Sequence, residues 1–287
     1  MNAPIKIVNA DVPQMPVRRM DFSFAQDIPR LWFGEDAFRT ALLSALSCTF
    51  PEGERMFMRA VRHFQDGVAS SELQKRVRAF IGQEANHGKE HEAFNQFLAQ
   101  KGLPSAAIED FVRKGIAKEE SFFSPERMLA KTCALEHFTA LFAERVLSHP
   151  EILEDMDPRL IPLWLWHAIE ESEHKSVAFD VYQDQVGSYW IRSSEMLFTT
   201  LLFTLFTTLH TRQMLAAMAG EPHGRGWRHG LRSLFGQRGF LRGMLPRYLD
   251  YFRPNFHPDQ HDTDALREKG LALLARYQQA LAEAEAA

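Results

Sequence analysis

Two Glu-x-x-His motifs limit what this 287-residue chain can fold into more strongly than any other feature. The first consists of Glu84 and His87, and the second of Glu171 and His174. Because an α-helix turns by about 100° per residue, a spacing of three places the carboxylate and the imidazole on one face, one turn apart. A single motif of this kind arises often by chance on a solvated helix. Two of them in separate helical segments predict one site at which both pairs converge.

Two single glutamates complete the pattern. Glu54 in the string FPEGERMF and Glu136 in the string LEHF each lie within an apolar helical face. The order along the chain is therefore Glu, Glu-x-x-His, Glu, Glu-x-x-His, which is the ligand set of the ferritin-like dinuclear carboxylate proteins. The alternative is that both are ordinary surface glutamates and that the motif histidines simply pack in the core.

The charge of such a cluster favours bound metal. Four glutamates that converge inside a bundle are strongly unfavourable unless they pair with cations or coordinate them. Two divalent ions would supply the four positive charges, and oxygen-rich ligation with two imidazoles suits iron, with manganese as the alternative. Cys48 and Cys133 show no metal-binding spacing, so a thiolate zinc site is not expected.

Glycine and proline divide the chain into helical segments, and no alternating run is long enough to predict a sheet. The expected helices span 35–66 with an interruption at Phe50-Pro51, 70–101, a weaker 106–118, 124–149 and 158–187. The connection lengths predict an all-α fold, a ferritin-like four-helix bundle with one long crossover. The expected units are an N-terminal arm (1–34), the bundle (35–187) and a C-terminal helical appendage (188–287).

Further histidines lie beside the motifs. His91 follows His87 by four residues, and His167 precedes Glu171 by four. If the two helices are antiparallel, both histidines point toward the same end of the bundle and lie within about two turns, roughly 11 Å, of each other. We expect them to be extra ligands or catalytic acid and base groups, and Glu170 to orient a ligand. The alternative is that the two histidines only cap the cluster by hydrogen bonding.

The last hundred residues have a different character. Residues 196–209, MLFTTLLFTLFTTL, are uncharged and apolar on all sides, which fits a buried helix, a dimer interface or an interfacial membrane helix. Residues 221–253 contain seven arginines against two acidic residues. They fit a solvated face, an anionic membrane surface or a site for an acidic head group. By one hypothesis this segment covers the bundle mouth, and Arg238, Arg242 and Arg247 hold an acidic, apolar substrate.

Composition excludes some partners and compartments. The formal net charge is −4 and no recognition motif accompanies the arginines, so no nucleic-acid partner is expected. The first 25 residues contain no apolar leader core, which favours the cytoplasm. Contact of 196–253 with a membrane surface or with a second copy of the chain is left open.

Five strings carry a family resemblance: FPEGERMF, FIGQEANHGKEHEAFNQFL, LEHFTALFAE, LWHAIEESEHKSVAFDVY and YFRPNFHPDQHD. From about Val17 to Thr263 the chain resembles the bacterial proteins described as predicted metal-dependent hydrolases. The resemblance implies a ferritin-like metal-binding bundle and an enzyme. It places Glu54, Glu84, His87, Glu136, Glu171 and His174 at the metal positions, and His91 and His167 match motif histidines.

Three functions follow from these residues. The first is a di-iron enzyme that activates dioxygen to oxidise a small apolar substrate, which the four carboxylates favour. The second is a metal-dependent hydrolase in which a metal-activated water attacks the substrate and His91 or His167 carries the proton. The third is a metal-binding protein without enzymatic activity. The sequence gives a modest preference for the first.

Overall fold

The computed structural model describes residues 6–9, 11–12, 14–220, 227–237 and 239–286. These residues are mostly helical, so the all-α prediction is confirmed. The helices are α1 (Ala37–Ser47), α2 (Phe50–Gln65), α3 (Ser71–Gln100), α4 (Ser105–Phe122), α5 (Pro125–Ser148), α6 (Ile161–His174), α7 (Val177–Gln185), α8 (Tyr189–Ala217), α9 (Trp227–Phe235), α10 (Met244–Asp250) and α11 (Asp264–Ala286).

The helices that carry the two motifs and the two single glutamates pack against one another. α2 lies along α3, α5 lies along α6 and α7, and the two pairs face each other. Local signals set their beginnings. Pro51 and Pro125 occupy the first turns of α2 and α5, where no backbone donor is lost, and the Ser70 hydroxyl caps α3 by accepting from the Leu73 amide. The crossover between α3 and α5 is filled by α4, which packs on α2 and α3.

One long helix of the prediction is broken. The segment expected to run continuously to about Gly187 is two helices, α6 and α7, which are separated by Lys175 and Ser176. Lys175 Nζ donates to the Thr263 hydroxyl and to a backbone carbonyl of the same loop, and the Ser176 hydroxyl accepts from Arg76. These partners lie far away in sequence, so helical periodicity alone could not predict the break.

The N-terminal arm contains a small sheet, which the sequence did not predict. β1 (Lys6–Asn9) pairs antiparallel with β2 (Val17–Arg19), and β2 packs against α3. Strands of three and four residues are too short to show an alternating pattern. Val17 and Arg18 are nevertheless almost fully buried, so the arm forms part of the protein interior.

The apolar stretch 196–209 lies within the long helix α8, which packs on α1 and α5. The buried-helix interpretation holds for one face only, because four leucines are between 44% and 65% exposed: Leu197, Leu201, Leu205 and Leu209. Among the described residues, no helix is both long and apolar enough to cross a bilayer. In the arginine-rich segment, residues 221–226 and Arg238 lie outside the described residues.

Candidate metal centre

Four helices bring the six predicted ligands into one buried cluster. Glu54 comes from α2, Glu84 and His87 from α3, Glu136 from α5, and Glu171 and His174 from α6, and each is at most 3% exposed. Gly88, next to His87 on α3, allows the Glu54 carboxylate to approach this helix. A Cβ atom at position 88 would lie 3.2 Å from Glu54 Oε2, which is a tight contact.

The ligand atoms form two groups. The first group contains one ligand atom from each of Glu54, His87 and His167, and these three atoms lie within 4.8 Å of one another. In the second, the same holds for Glu84, Glu171 and His174. The two groups adjoin, since Oε1 of Glu171 lies 2.9 Å from Nε2 of His167.

Glu136 belongs to the second group by distance. His174 Nε2 lies 3.0 Å from Glu84 Oε1, 3.4 Å from Glu171 Oε2 and 3.5 Å from Glu136 Oε2. One imidazole nitrogen therefore faces three carboxylates. A cation between these atoms would satisfy all of them, and neutral imidazole nitrogen with carboxylate oxygen is a usual donor set for iron or manganese.

Unsatisfied polar atoms show that the cluster fits metal ions. Both carboxylate oxygens of Glu54, Glu84 and Glu136 are buried and have no hydrogen-bond partner among the described residues. The same is true of Nε2 of His174 and of both ring nitrogens of His87, all of which face carboxylates. Buried polar atoms are normally paired, and so many orphans in one place are expected where cations bind.

Electrostatics in the cluster are those of crowded carboxylates. Burial, followed by the nearby carboxylates, raises the pKa of Glu54 well above its usual value. Burial also raises the pKa of Glu136, although His174 opposes it. Burial alone would raise the pKa of Glu171 too, but the nearby imidazoles of His174 and His167 hold it well below its usual range. Without metal, protons take the place of cations on some of these groups.

A second layer of side chains holds the ligand imidazoles. His174 donates from Nδ1 to Gln83 Oε1 at 3.1 Å, which leaves Nε2 for the cluster. Nε2 of His87 lies 3.1 Å from Glu170 Oε2, so Glu170 stands where a carboxylate can orient a ligand imidazole. Burial raises the pKa of Glu170 to about 7 against the opposing effect of Arg18, and burial lowers the pKa of His87 to about 3.

His167 lies in the cluster, and His91 lies behind it. Asn95 donates from Nδ2 to Glu109 at 2.8 Å, which leaves Asn95 Oδ1 to accept from the Ser47 hydroxyl at 2.7 Å. Ser47 Oγ then accepts from His91 Nδ1 at 2.9 Å, and His91 Nε2 accepts from His167 Nδ1 at 2.7 Å. With its proton on Nδ1, His167 presents the lone pair of Nε2 to the cluster, as a metal ligand must.

An apolar cavity of about 340 Å³ reaches the cluster at Glu54 and Glu171. Its walls come from α2, α4, α5 and α8 and are rich in phenylalanine: Phe50, Phe57, Phe111, Phe138, Phe142, Phe203 and Phe206. Neither Arg242 nor Arg247 lines it, and Arg238 lies outside the described residues. The cavity is large enough for a small organic ligand.

Comparison with protein families agrees with the site. The family model described as predicted metal-dependent hydrolase matches residues 16–262, which is most of the chain. The chain belongs to this family. Searches of curated proteins and of solved structures found no match.

In this member of the predicted metal-dependent hydrolase family, several other histidines and glutamates pair with residues outside the cluster. His137 donates to the Arg247 carbonyl, and Glu144 pairs with the Arg247 guanidinium. His257 and His261 pair with Asp180 and Asp250.

Sequence reasoning missed several members of the second layer. Arg18 donates to Glu170 and Glu173, and Gln83 also donates to Glu173 at 2.8 Å. Gln83 directly precedes the first motif, and Glu173 occupies the position before the histidine of the second. That proximity was the available signal for these two. Nothing in the sequence pattern links Arg18 to either motif.

Proposed function

We propose that this protein is a dinuclear metal enzyme that hydrolyses an ester or amide of an apolar substrate. The observation that carries the proposal is that two groups of candidate ligands, most of them with unsatisfied polar atoms, share one buried cluster at the wall of an apolar cavity. The family description supports hydrolysis over the oxidation that the sequence favoured. The ligand order and the packing of four helices support a ferritin-like arrangement of the centre.

The proposed ligands divide between two ions, iron or manganese by their chemistry. Glu54, His87 and His167 would hold one ion, and Glu84, Glu171 and His174 the other. Glu136 would complete the second set. When bound, two divalent ions at these positions acidify a water molecule and polarise the carbonyl that it attacks.

The residues of the chain supply positioning. The phenylalanine walls hold the apolar part of the substrate and exclude bulk water from the cluster. Gln83 fixes the ring of His174 through a hydrogen bond, and the Glu170 carboxylate stands beside the ring of His87. His91 accepts a hydrogen bond from His167 Nδ1 at 2.7 Å, which would keep the lone pair of His167 Nε2 directed at the ion, so His91 would be a positioning residue rather than a proton carrier.

Oxidation with dioxygen is the second candidate function. The specific observation in its favour is the donor set, which has four carboxylates, no thiolate and an adjoining apolar cavity. Carboxylate-rich helical bundles of this composition include the di-iron proteins. This candidate requires oxygen and a source of electrons, whereas hydrolysis requires neither.

The test combines metal analysis with turnover of neutral fatty-acyl esters and amides, with and without oxygen. We expect two ions per chain and cleavage that persists anaerobically. The His174→Ala variant should lose metal and activity, whereas His63→Ala, an exposed histidine outside the cluster, should retain both. Turnover that needs oxygen and a reductant would favour the second candidate. A single zinc ion per chain, or reversible metal loading without turnover, would contradict the proposal.

A further inference from the structure

Two glycines inside helices face the cavity. Gly53 is in α2, directly before the ligand Glu54, and Gly115 is in the middle of α4. Both line the cavity, and a Cβ atom built at either position would meet nothing within 4 Å. Neither has a positive φ that would require glycine. Glycine destabilises a helix interior relative to alanine, so a glycine that the backbone does not require needs another physical reason.

At both positions, the physical reason for glycine is the open space beside the helix. Both glycines line the volume that adjoins Glu54 and Glu171, and the space where their Cβ atoms would stand is empty. Gly115 is solvent-exposed, as is Phe111 one turn earlier on α4, so this helix borders an opening of the cavity. Gly53 widens the cavity beside the cluster, and Gly115 widens it near the surface.

The lining of the cavity extends along α8. Its residues on that helix run from Thr199 to His210, which at 1.5 Å per residue spans about 16 Å. An extended chain can therefore contact the lining along its length.

The polar atoms of the wall indicate the charge of the occupant. Lys131 is the most deeply buried cation of the lining, and it is already paired with Glu119. His210 is 5% exposed, and burial lowers its pKa, so its ring is neutral. His210 Nδ1 and the hydroxyl of Thr199, which is 1% exposed, have no hydrogen-bond partner among the described residues. Each of these two atoms can bond a neutral polar group. Of the lining lysines that the structure describes, Lys131 is paired and Lys118 is exposed to solvent, so no buried cation is left for a carboxylate.

We propose that the cavity binds one uncharged aliphatic chain with a neutral polar group, and that Gly53 and Gly115 determine the length and bulk of the chain. The inference rests on the proposed function, because it names the substrate class of the same centre. It is an alternative to the hypothesis that arginines of 221–253 hold an acidic substrate; Arg242 and Arg247 do not line the cavity, and Arg238 lies outside the described residues.

The experiment measures binding to the full-length, metal-free protein by displacement of a neutral environment-sensitive naphthylamine dye. Decanol is compared with hexanol and with the decanoate anion. We expect decanol to bind most tightly. Gly115→Trp should weaken decanol about tenfold, which corresponds to 1.4 kcal/mol, and hexanol less. Gly53→Leu should also weaken decanol more than hexanol.

Two further variants separate cavity filling from misfolding. Gly115→Ala should raise the midpoint of thermal unfolding while it weakens decanol, because alanine favours the helix and occupies the cavity. Ala117→Trp, at an exposed position of the same helix outside the cavity lining, should bind decanol as the parent does. Unchanged decanol affinity in Gly115→Trp, equal loss in Ala117→Trp, or tighter binding of the decanoate anion would overturn the inference.

Because this assay uses metal-free protein, it fails independently of the proposed function. If decanol binding depends on Gly115 and no ester is cleaved, the cavity assignment is supported and the proposed hydrolysis is contradicted. If esters are cleaved equally well by the parent and by Gly115→Trp, the proposed hydrolysis is supported and the cavity assignment is contradicted.

Discussion

Arg18 lies between two buried glutamates that stand behind the ligand histidines. Its guanidinium donates to Glu170 at 3.0 Å and to Glu173 at 2.7 Å, although more than 150 residues separate these partners in sequence. Burial raises the pKa of both glutamates, and Arg18 acts against that rise. The strand β2 thus supplies the positive charge that keeps this second layer paired.

Replacing Arg18 with methionine should therefore destabilise the protein. The change leaves Glu170 and Glu173 buried without a cation, and loss of one partner from a buried ion pair costs roughly 3–5 kcal/mol. Urea denaturation of the metal-free protein measures the free energy of unfolding. Arg19→Met is the matched control, because the Arg19 side chain is 53% exposed and should change stability by about 0.5 kcal/mol or less. Equal effects of the two substitutions would refute a buried role for Arg18.

At the residue scale, the sequence predicts the members of the buried cluster better than the side chains that support them. Glu84, His87, Glu171 and His174 are visible because helical geometry couples a spacing of three to one face. The role of His167 stayed open between ligand and hydrogen-bonding group. Its tautomer depends on a chain of contacts through α1 and α3 that no local spacing encodes.

At the scale of elements, His137 joins α5 to α10. Its Nε2 donates to the backbone carbonyl of Arg247 at 3.2 Å, and its ring packs against Tyr251 and Phe256. Burial, together with the nearby His261, lowers the pKa of His137 to about 3. The short helix α10 is therefore held on the bundle by a histidine that must stay neutral.

The neutral state of His137 makes this contact sensitive to acid. In the unfolded chain the pKa of the His137 imidazole is about 6.5. Below that pH the unfolded state therefore binds a proton that the native state does not bind. The contribution to stability is complete above pH 6.5 and declines toward about pH 3 by at most about 1.4 kcal/mol per pH unit. His137→Gln retains a donor without this titration, so its unfolding free energy should fall less steeply with acid than that of the parent. His149→Gln, at a side chain that is 44% exposed, should follow the parent, and a parallel His137→Gln curve would count against the argument.

Helical periodicity predicts the position of a helix better than it predicts which of its faces are covered by neighbouring helices. The pattern of 196–209 indicates a helix that is apolar all round, and packing alone decides which side is covered. Residues such as Thr199 and Phe203 line the cavity, while Leu201 and Leu205 face outward. The break after His174 has the same origin, since its causes are the loop at Thr263 and the side chain of Arg76.

At the scale of the whole molecule, the fold concentrates negative charge in its interior. The formal net charge of the chain is only −4, yet four glutamates meet in one buried cluster. Two divalent ions would neutralise them. In the metal-free protein, the pKa values of Glu54 and Glu136 are raised, so bound protons neutralise part of this negative charge.

Metal loading should therefore stabilise the protein and release protons at neutral pH. Ions that bind only the native state add about 2.7 kcal/mol at a free concentration of 100 times Kd, so the thermal midpoint should rise on loading and fall again with a chelator. Calorimetric titration in buffers of different ionisation enthalpy counts the released protons, because ligand carboxylates must lose theirs to coordinate. Affinity should accordingly increase with pH as Glu54 and Glu136 deprotonate.

Glu136→Gln should release fewer protons than the parent, whereas Glu144→Gln, which removes an ion-paired glutamate outside the cluster, should match it. Loading without proton release would mean that the metal-free cluster is already fully ionised and held by other cations.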